Sequence, residues 1–253
     1  IYLSITNGIT SDESYERLNW QENLSGIKSL LANGNYDNFL EYQDKYHGIA
    51  FHYISQPIQF FTYKFISNLN DVSDAGAYLM SKHSVVFLTF FISGIFFYLI
   101  CIKLTSNKIF SLISSFIYLL YPYLYGHAQF NMKDIPFLSV WLISTYYFLN
   151  IIEDFFYEKD IKFSKIILVS FLTSFLISIR ILGLAIFLQY LISFIILFNI
   201  KNINLFNFIK ENYKRAFLLI SSLLILIYSM NPVLWLNPLE LINSIKWMVN
   251  YFN

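Results

Sequence analysis

From Ile166 to Phe198 the chain runs 33 residues with one charge, Arg180. A single membrane crossing needs only about 20 residues. The run therefore reads as two short helices meeting in a tight turn at Arg180, with Gly183 just beyond it. Other apolar segments cover 85–104, 109–125, 135–152 and Ala216 to about Met230. In the third of these, Pro136 falls in a first helical turn, where its missing N–H is tolerated. The opening stub Ile1 to Thr6, which has no Met, reads as the tail of a helix cut away upstream. That makes seven segments, six of them present in substance. Charged residues make up 13% of the chain, about half the share of a soluble domain. The fold class expected is an all-α polytopic membrane protein. A net charge of +1 offers no basic field for nucleic acid. The one cysteine, Cys101, sits mid-run and implies no disulfide or metal framework.

The short loops orient the bundle. If the spans alternate, one side receives Lys103, Lys108, Lys159, Lys162, Lys165, Lys201, Lys210, Lys214 and Arg215, while the short loops of the other hold only Lys133 and Arg180. The positive-inside rule assigns the basic side to the cytoplasm. The long loop 7–84 and the tail 231–253 then lie outside, flanking a bundle over 85–230. Asp12, Glu13, His47, His52, His83, His127, Asp134 and Arg180 all reach this same outer face. Any chemistry is expected there.

The long loop has structure of its own. Ser11-Asp12 before Glu13 is a helix start. Leu18, Trp20, Leu24, Ile27, Leu30 and Leu31 recur at roughly helical spacing up to Asn33-Gly34. A second stretch runs from Pro57 to Leu69 with Ile58, Phe60, Phe61, Phe65 and Ile66. Both read as amphipathic helices lying in the membrane interface.

Each candidate site residue also has a plainer role. Asp12 and Glu13 suit a helix cap, and Asp134 suits the N-cap of its own span. Arg180 suits a snorkelling helix end, His127 a structural contact, and Trp235 an interfacial aromatic belt. The plain roles do not explain why two acidic clusters and one arginine converge on one face from three separate span ends.

An acidic pair after a first membrane helix, a loop of interfacial helices and a second acid before a Pro-led span together resemble the GT-C fold of membrane glycosyltransferases. The nearest types are the protein O-mannosyltransferases, the aminoarabinose transferases of lipid A and the lipopolysaccharide-core transferases. The first motif reads Asp12-Glu13-Ser14-Tyr15, followed by Leu30-Leu31-Ala32-Asn33-Gly34-Asn35-Tyr36. The second reads Gly126-His127-Ala128-Gln129-Phe130-Asn131-Met132-Lys133-Asp134-Ile135-Pro136. The resemblance covers almost all of residues 1–253. It implies a single transmembrane domain in the bacterial inner membrane, with its site on the periplasmic or extracellular side. It also implies inverting transfer of a sugar from a polyprenyl-phosphate carrier to a lipid, glycan or protein acceptor. Asp12, Glu13 and Asp134 would then be catalytic, with Asp12 as the base. Arg180 and Lys133 would hold the donor phosphate, and His47 and His127 would be candidate substrate or metal contacts. Some relatives carry Glu-Lys-Pro in the middle of the loop, serving metal or phosphate. Here Asp44-Lys45-Tyr46-His47-Gly48-Ile49 stands there, so a divalent metal is compatible with the resemblance but not required by it.

The rival from another class is a transporter or flippase for a lipid-linked or anionic substrate, with Asp134 and Arg180 as intramembrane gates. Span-end charges, the absence of an inverted repeat and a large interfacial loop argue against it. A noncatalytic assembly subunit is the third option, against which the acidic residues speak.

Overall fold

The computed structural model describes residues 9–35, 37–67 and 74–251. The described residues form helices joined by short turns, with no strand among them. The outer loop folds into α1 (Ser11–Asn33), the short α2 (Asp37–Glu41) and α3 (Ala50–Ile66). The bundle is made of α4 (Asp74–Thr105), α5 (Lys108–Leu120), α6 (Pro122–His127), α7 (Asp134–Phe156), α8 (Phe163–Ile179), α9 (Ile186–Lys201) and α10 (Leu205–Met230). A last helix, α11, spans Glu240–Tyr251. The opening stub lies outside the described residues.

Four helical stretches are long and apolar enough to cross a membrane: Gly76–Thr105, Asp134–Phe156, Ile181–Lys201 and Leu205–Met230. The chain is an all-α membrane protein. Two further apolar helices, α5 and α8, are shorter. The segment expected as one span over 109–125 is broken. Tyr121 is extended, and Pro122 cannot supply the N–H that would continue the ladder, so α6 starts anew there. The long run divides as expected, α8 stopping at Ile179 and a 3₁₀ turn over Ile181–Ala185 leading into α9.

Helix α8 is the centre of the bundle. It packs against α7 on one side and α10 on the other, and the seven consecutive residues Thr173–Ile179 are buried. Its small polar side chains let neighbours approach and tie them together. Ser170 Oγ donates to the Leu219 carbonyl at 3.3 Å and Ser174 Oγ to the Leu223 carbonyl at 3.0 Å. The outer faces of α5 and α9 carry exposed Ile113, Phe116, Ile117, Leu188, Leu191 and Ile192. Such a surface suits hydrocarbon and not water. One end of the bundle holds the ion pairs Lys103–Glu153, Lys165–Asp154 and Arg215–Asp160. These are the loops assigned to the cytoplasm.

The first outer-loop helix has the expected bounds, and the second starts earlier than expected. Helix α1 begins with a capping box between Thr10 and Glu13 and ends at Gly34, whose φ of 73° is the left-handed cap that glycine adopts without penalty. Of the apolar residues expected to form one face, only Trp20 is buried. The side turned inward carries Glu13, Asn19, Asn23 and Gly26, and Leu31 is 80% exposed. Helix α3 starts at Ala50, not Pro57, and encloses the proline. Its polar residues His52, Ser55 and Gln59 likewise face the protein, and Ile54, Ile58, Phe61 and Phe65 face out. An apolar side turned outward is what a helix lying in a membrane interface presents. Residues 68–73 of the second expected helix lie outside the described residues.

Candidate functional site

At the end of the bundle opposite the basic loops lies a cavity of about 840 Å³. Its walls come from the first two turns of α1, the loop Asp44–Gly48, the start of α7, the turn after α8 and the α11 residues Trp247, Met248 and Val249. Of the seven candidates, Asp12, Glu13, His47, Lys133, Asp134 and Arg180 line it. His127 does not. It packs against Tyr123 with ring centroids 4.3 Å apart and rings tilted, and meets Asn131 Nδ2 through Nδ1 at 3.3 Å, a structural contact.

Local geometry fixes each group. Asn131 Oδ1 accepts the backbone N–H of Lys133 at 3.1 Å and of Asp134 at 2.8 Å, so asparagine opens α7. The expected cap role of Asp134 is thereby corrected, and its carboxylate turns instead to Arg180, with Oδ1 2.5 Å from Nη1. Arg180 stands in extended conformation between α8 and the 3₁₀ turn. The turn folds back tightly, since a Cβ on Gly183 would lie 2.9 Å from the Ile177 backbone. Gly48 presses against the same helix end, where any Cβ would collide with the Ser178 and Ile179 carbonyl oxygens. That close approach seats His47 beside the turn.

The carboxylates differ in what they do. Glu13 has both oxygens engaged. Oε1 accepts from Thr10 N at 2.8 Å and Oγ1 at 3.1 Å, and Oε2 meets His83 Nε2 at 2.7 Å. Glu13 caps and ties α1 to α4. Asp12 is exposed on the cavity side and has no hydrogen-bond or ion-pair partner among the described residues. The plain capping role thus falls to Glu13 and leaves Asp12 available.

Glu16, one turn after Asp12, was not singled out from the sequence. Its Oε1 accepts from Lys133 Nζ at 2.9 Å, and its Oε2 lies 3.8 Å from His52 Nε2. Burial alone would raise its carboxyl, but Lys133 and His52 outweigh that and hold it well below the usual carboxylate range. Lys133 Nζ also meets His47 Nδ1 at 3.0 Å. Burial first, and then the neighbouring Lys133, push His47 down to about 4. Burial, and next Lys82, push His52 down to about 4 as well. Both imidazoles are therefore neutral at neutral pH. On the far wall Tyr46 donates its hydroxyl to Glu240 of α11, and Trp247 packs edge-on to His47 at 5.0 Å. Asp12, Glu13 and Glu16 share one helical side by their spacing, a signal that could have added Glu16. Nothing in the sequence announces α11 as a wall.

Among the described residues no group of three His, Cys, Asp or Glu side chains is placed to hold a metal ion. Comparison of the chain with protein-family models, curated proteins and solved structures gave no match.

Proposed function

We propose that the chain is a membrane glycosyltransferase of GT-C type. It moves a sugar, with inversion, from a polyprenyl-phosphate carrier to a lipid, glycan or protein acceptor. The reaction takes place on the periplasmic or extracellular side of a bacterial inner membrane. The observation that carries this reading is one cavity holding a carboxylate, Asp12, with no partner among the described residues, together with two cationic groups, Lys133 and Arg180.

Inverting transfer needs those parts. The acceptor hydroxyl gives its proton to the Asp12 carboxylate as its oxygen attacks the anomeric carbon. The bond from that carbon to the phosphate oxygen breaks on the opposite face, and the carrier leaves as a phosphate dianion. Arg180 and Lys133 meet the charge that develops on it, Arg180 through a planar fork suited to phosphate oxygens. Asp134 holds that fork in place. Ile179, Ile181, Leu182 and Met248 give the same cavity an apolar side for the first isoprene units. The flippase reading draws less support, because the polar groups midway along α8 are small hydroxyls, Ser170, Thr173 and Ser174, and not ionisable residues.

Two variants test the proposal. Asp12→Asn should lower transfer from a polyprenyl-phosphate sugar by about 10²–10⁴-fold, the usual loss of a general base, with the melting temperature unchanged. Near-normal turnover by that variant defeats the assignment. Arg180→Ala should bind polyprenyl phosphate poorly while remaining folded, and unchanged affinity would make Arg180 only a counter-ion for Asp134.

A further inference from the structure

Behind Lys133 the polar groups continue into the protein. Glu16 lies between a lysine and a neutral histidine from two different parts of the chain. On the cavity side is Lys133 Nζ, 2.9 Å away. On the inner side is His52 Nε2 at 3.8 Å, whose Nδ1 in turn accepts from Lys82 of α4. Lys82 is 4% exposed and His52 3%, so neither has water to fall back on. His52 is further fixed by stacking on Trp20, with centroids 5.2 Å apart and rings nearly parallel. The tautomers agree along the chain. With Nδ1 accepting from the lysine, His52 carries its proton on Nε2, toward Glu16. His47 repeats the pattern on the other arm, accepting from Lys133 at Nδ1 and turning Nε2 to Asp44 Oδ1 at 3.8 Å. Glu16 is the one carboxylate this ladder shares between its two lysines.

We infer that Glu16 is a positioning residue: it anchors the Lys133 ammonium on the cavity wall, with the His52–Lys82 pair as the second arm of the same clamp. As a role in phosphate binding this rests on the cavity being the donor site; as a clamp on Lys133 it does not. A half-buried ammonium that loses its carboxylate partner is no longer held in one place on the wall and swings toward the open cavity. The other charged or titratable groups around Lys133 cannot replace it. His47 is neutral, Asp134 is engaged by Arg180, Asp44 is reached only through His47, and Glu13 is committed to Thr10 and His83.

The test has two readouts on purified full chain in mild detergent. The first is acetylation of Lys133 by acetic anhydride at pH 8, followed by peptide mass spectrometry. An amine released from its ion pair is freer to meet the reagent, so Glu16→Gln should raise the Lys133 rate several-fold, and Glu16→Asp should restore most of the protection. If Glu16→Gln does not fold, Glu16→Asp carries the test with an intermediate rate. Lys133 labelling at the wild-type rate in both variants overturns the clamp. The second readout is calorimetric binding of farnesyl phosphate from pH 7 to pH 10. Glu16→Gln should bind about tenfold more weakly. Equal or tighter binding by Glu16→Gln at every pH overturns the positioning role, since it would show that Glu16 merely neutralises Lys133. Wild-type protein that ignores farnesyl phosphate, while Lys133 labelling still responds to Glu16, refutes the donor-phosphate reading and leaves the clamp standing.

Discussion

Acidification should destabilise this protein well before its carboxylates titrate, and His52 should be a main cause. His52 sits at about 4 in the folded chain against 6.5 when unperturbed, and His47 does the same. A folded value below the unfolded one means that the unfolded chain takes up protons first as the pH falls. Stability is therefore full above about pH 6.5 and is lost progressively down to about pH 4. At about 1.4 kcal/mol per unit, going from pH 8 to pH 5 removes about 2 kcal/mol through His52 alone. Against a total stability of about 5–15 kcal/mol this is a large share. It corresponds to about 4–8 °C in melting temperature for a chain of this size. Glu16 adds almost nothing in that window, because its unfolded value of 4.5 lies below it. The assay is thermal unfolding in detergent at each pH for wild type and His52→Gln. The variant should start less stable at pH 8 and show a distinctly shallower slope toward pH 5. Parallel slopes for the two proteins would refute the argument that a buried neutral histidine beside Lys82 drives the effect.

Gly48→Ala should cost about 1–3 kcal/mol, the usual result of overpacking, and should weaken transfer further by displacing His47; an unchanged melting temperature would mean that the loop yields freely. Ser144→Ala should be neutral or stabilising by up to about 1 kcal/mol, because the buried Ser144 hydroxyl has no partner among the described residues; a loss larger than that would point to a bound water. A cysteine placed near Asn131 should react with an impermeant thiol reagent added outside cells, and one near Lys162 should not. The reverse labelling would put the cavity in the cytoplasm.

The helical bundle was legible from the apolar runs, and so was the turn at Arg180, because hydrocarbon tolerates one unexplained charge in 33 residues only where something special happens. The break at Tyr121-Pro122 was legible in principle from the proline. The polar partners that α1 and α3 bury were not, because periodicity reports that a helix has two sides and not which residues of other helices meet the polar one. At the site, the convergence of Asp12, Lys133, Asp134 and Arg180 followed from alternating spans. The division of labour among the carboxylates did not. Whether Glu13 or Asp12 caps α1 depends on Thr10 and His83, and His83 lies seventy residues away. Trp247 and the clamp on Glu16 depend on tertiary contacts of the same kind.

The polar inner side of α3 bears on how the protein is assembled in its membrane. A helix with Gln59, His52 and Ser55 along one side is too polar on average to be inserted as a span, and with Phe61 and Phe65 on the other it is too greasy to stay in water. Its polar side is met by α4. Gln59 Nε2 donates to the Tyr78 carbonyl at 2.7 Å, Thr62 and Ser84 share a hydrogen bond at 3.2 Å, and Lys82 meets His52. The two helices therefore depend on each other. Separating them in an apolar medium would leave each of these groups unpaired at several kcal/mol apiece, so a chain in which α3 and α4 fail to pair also lacks the inner arm of its cavity.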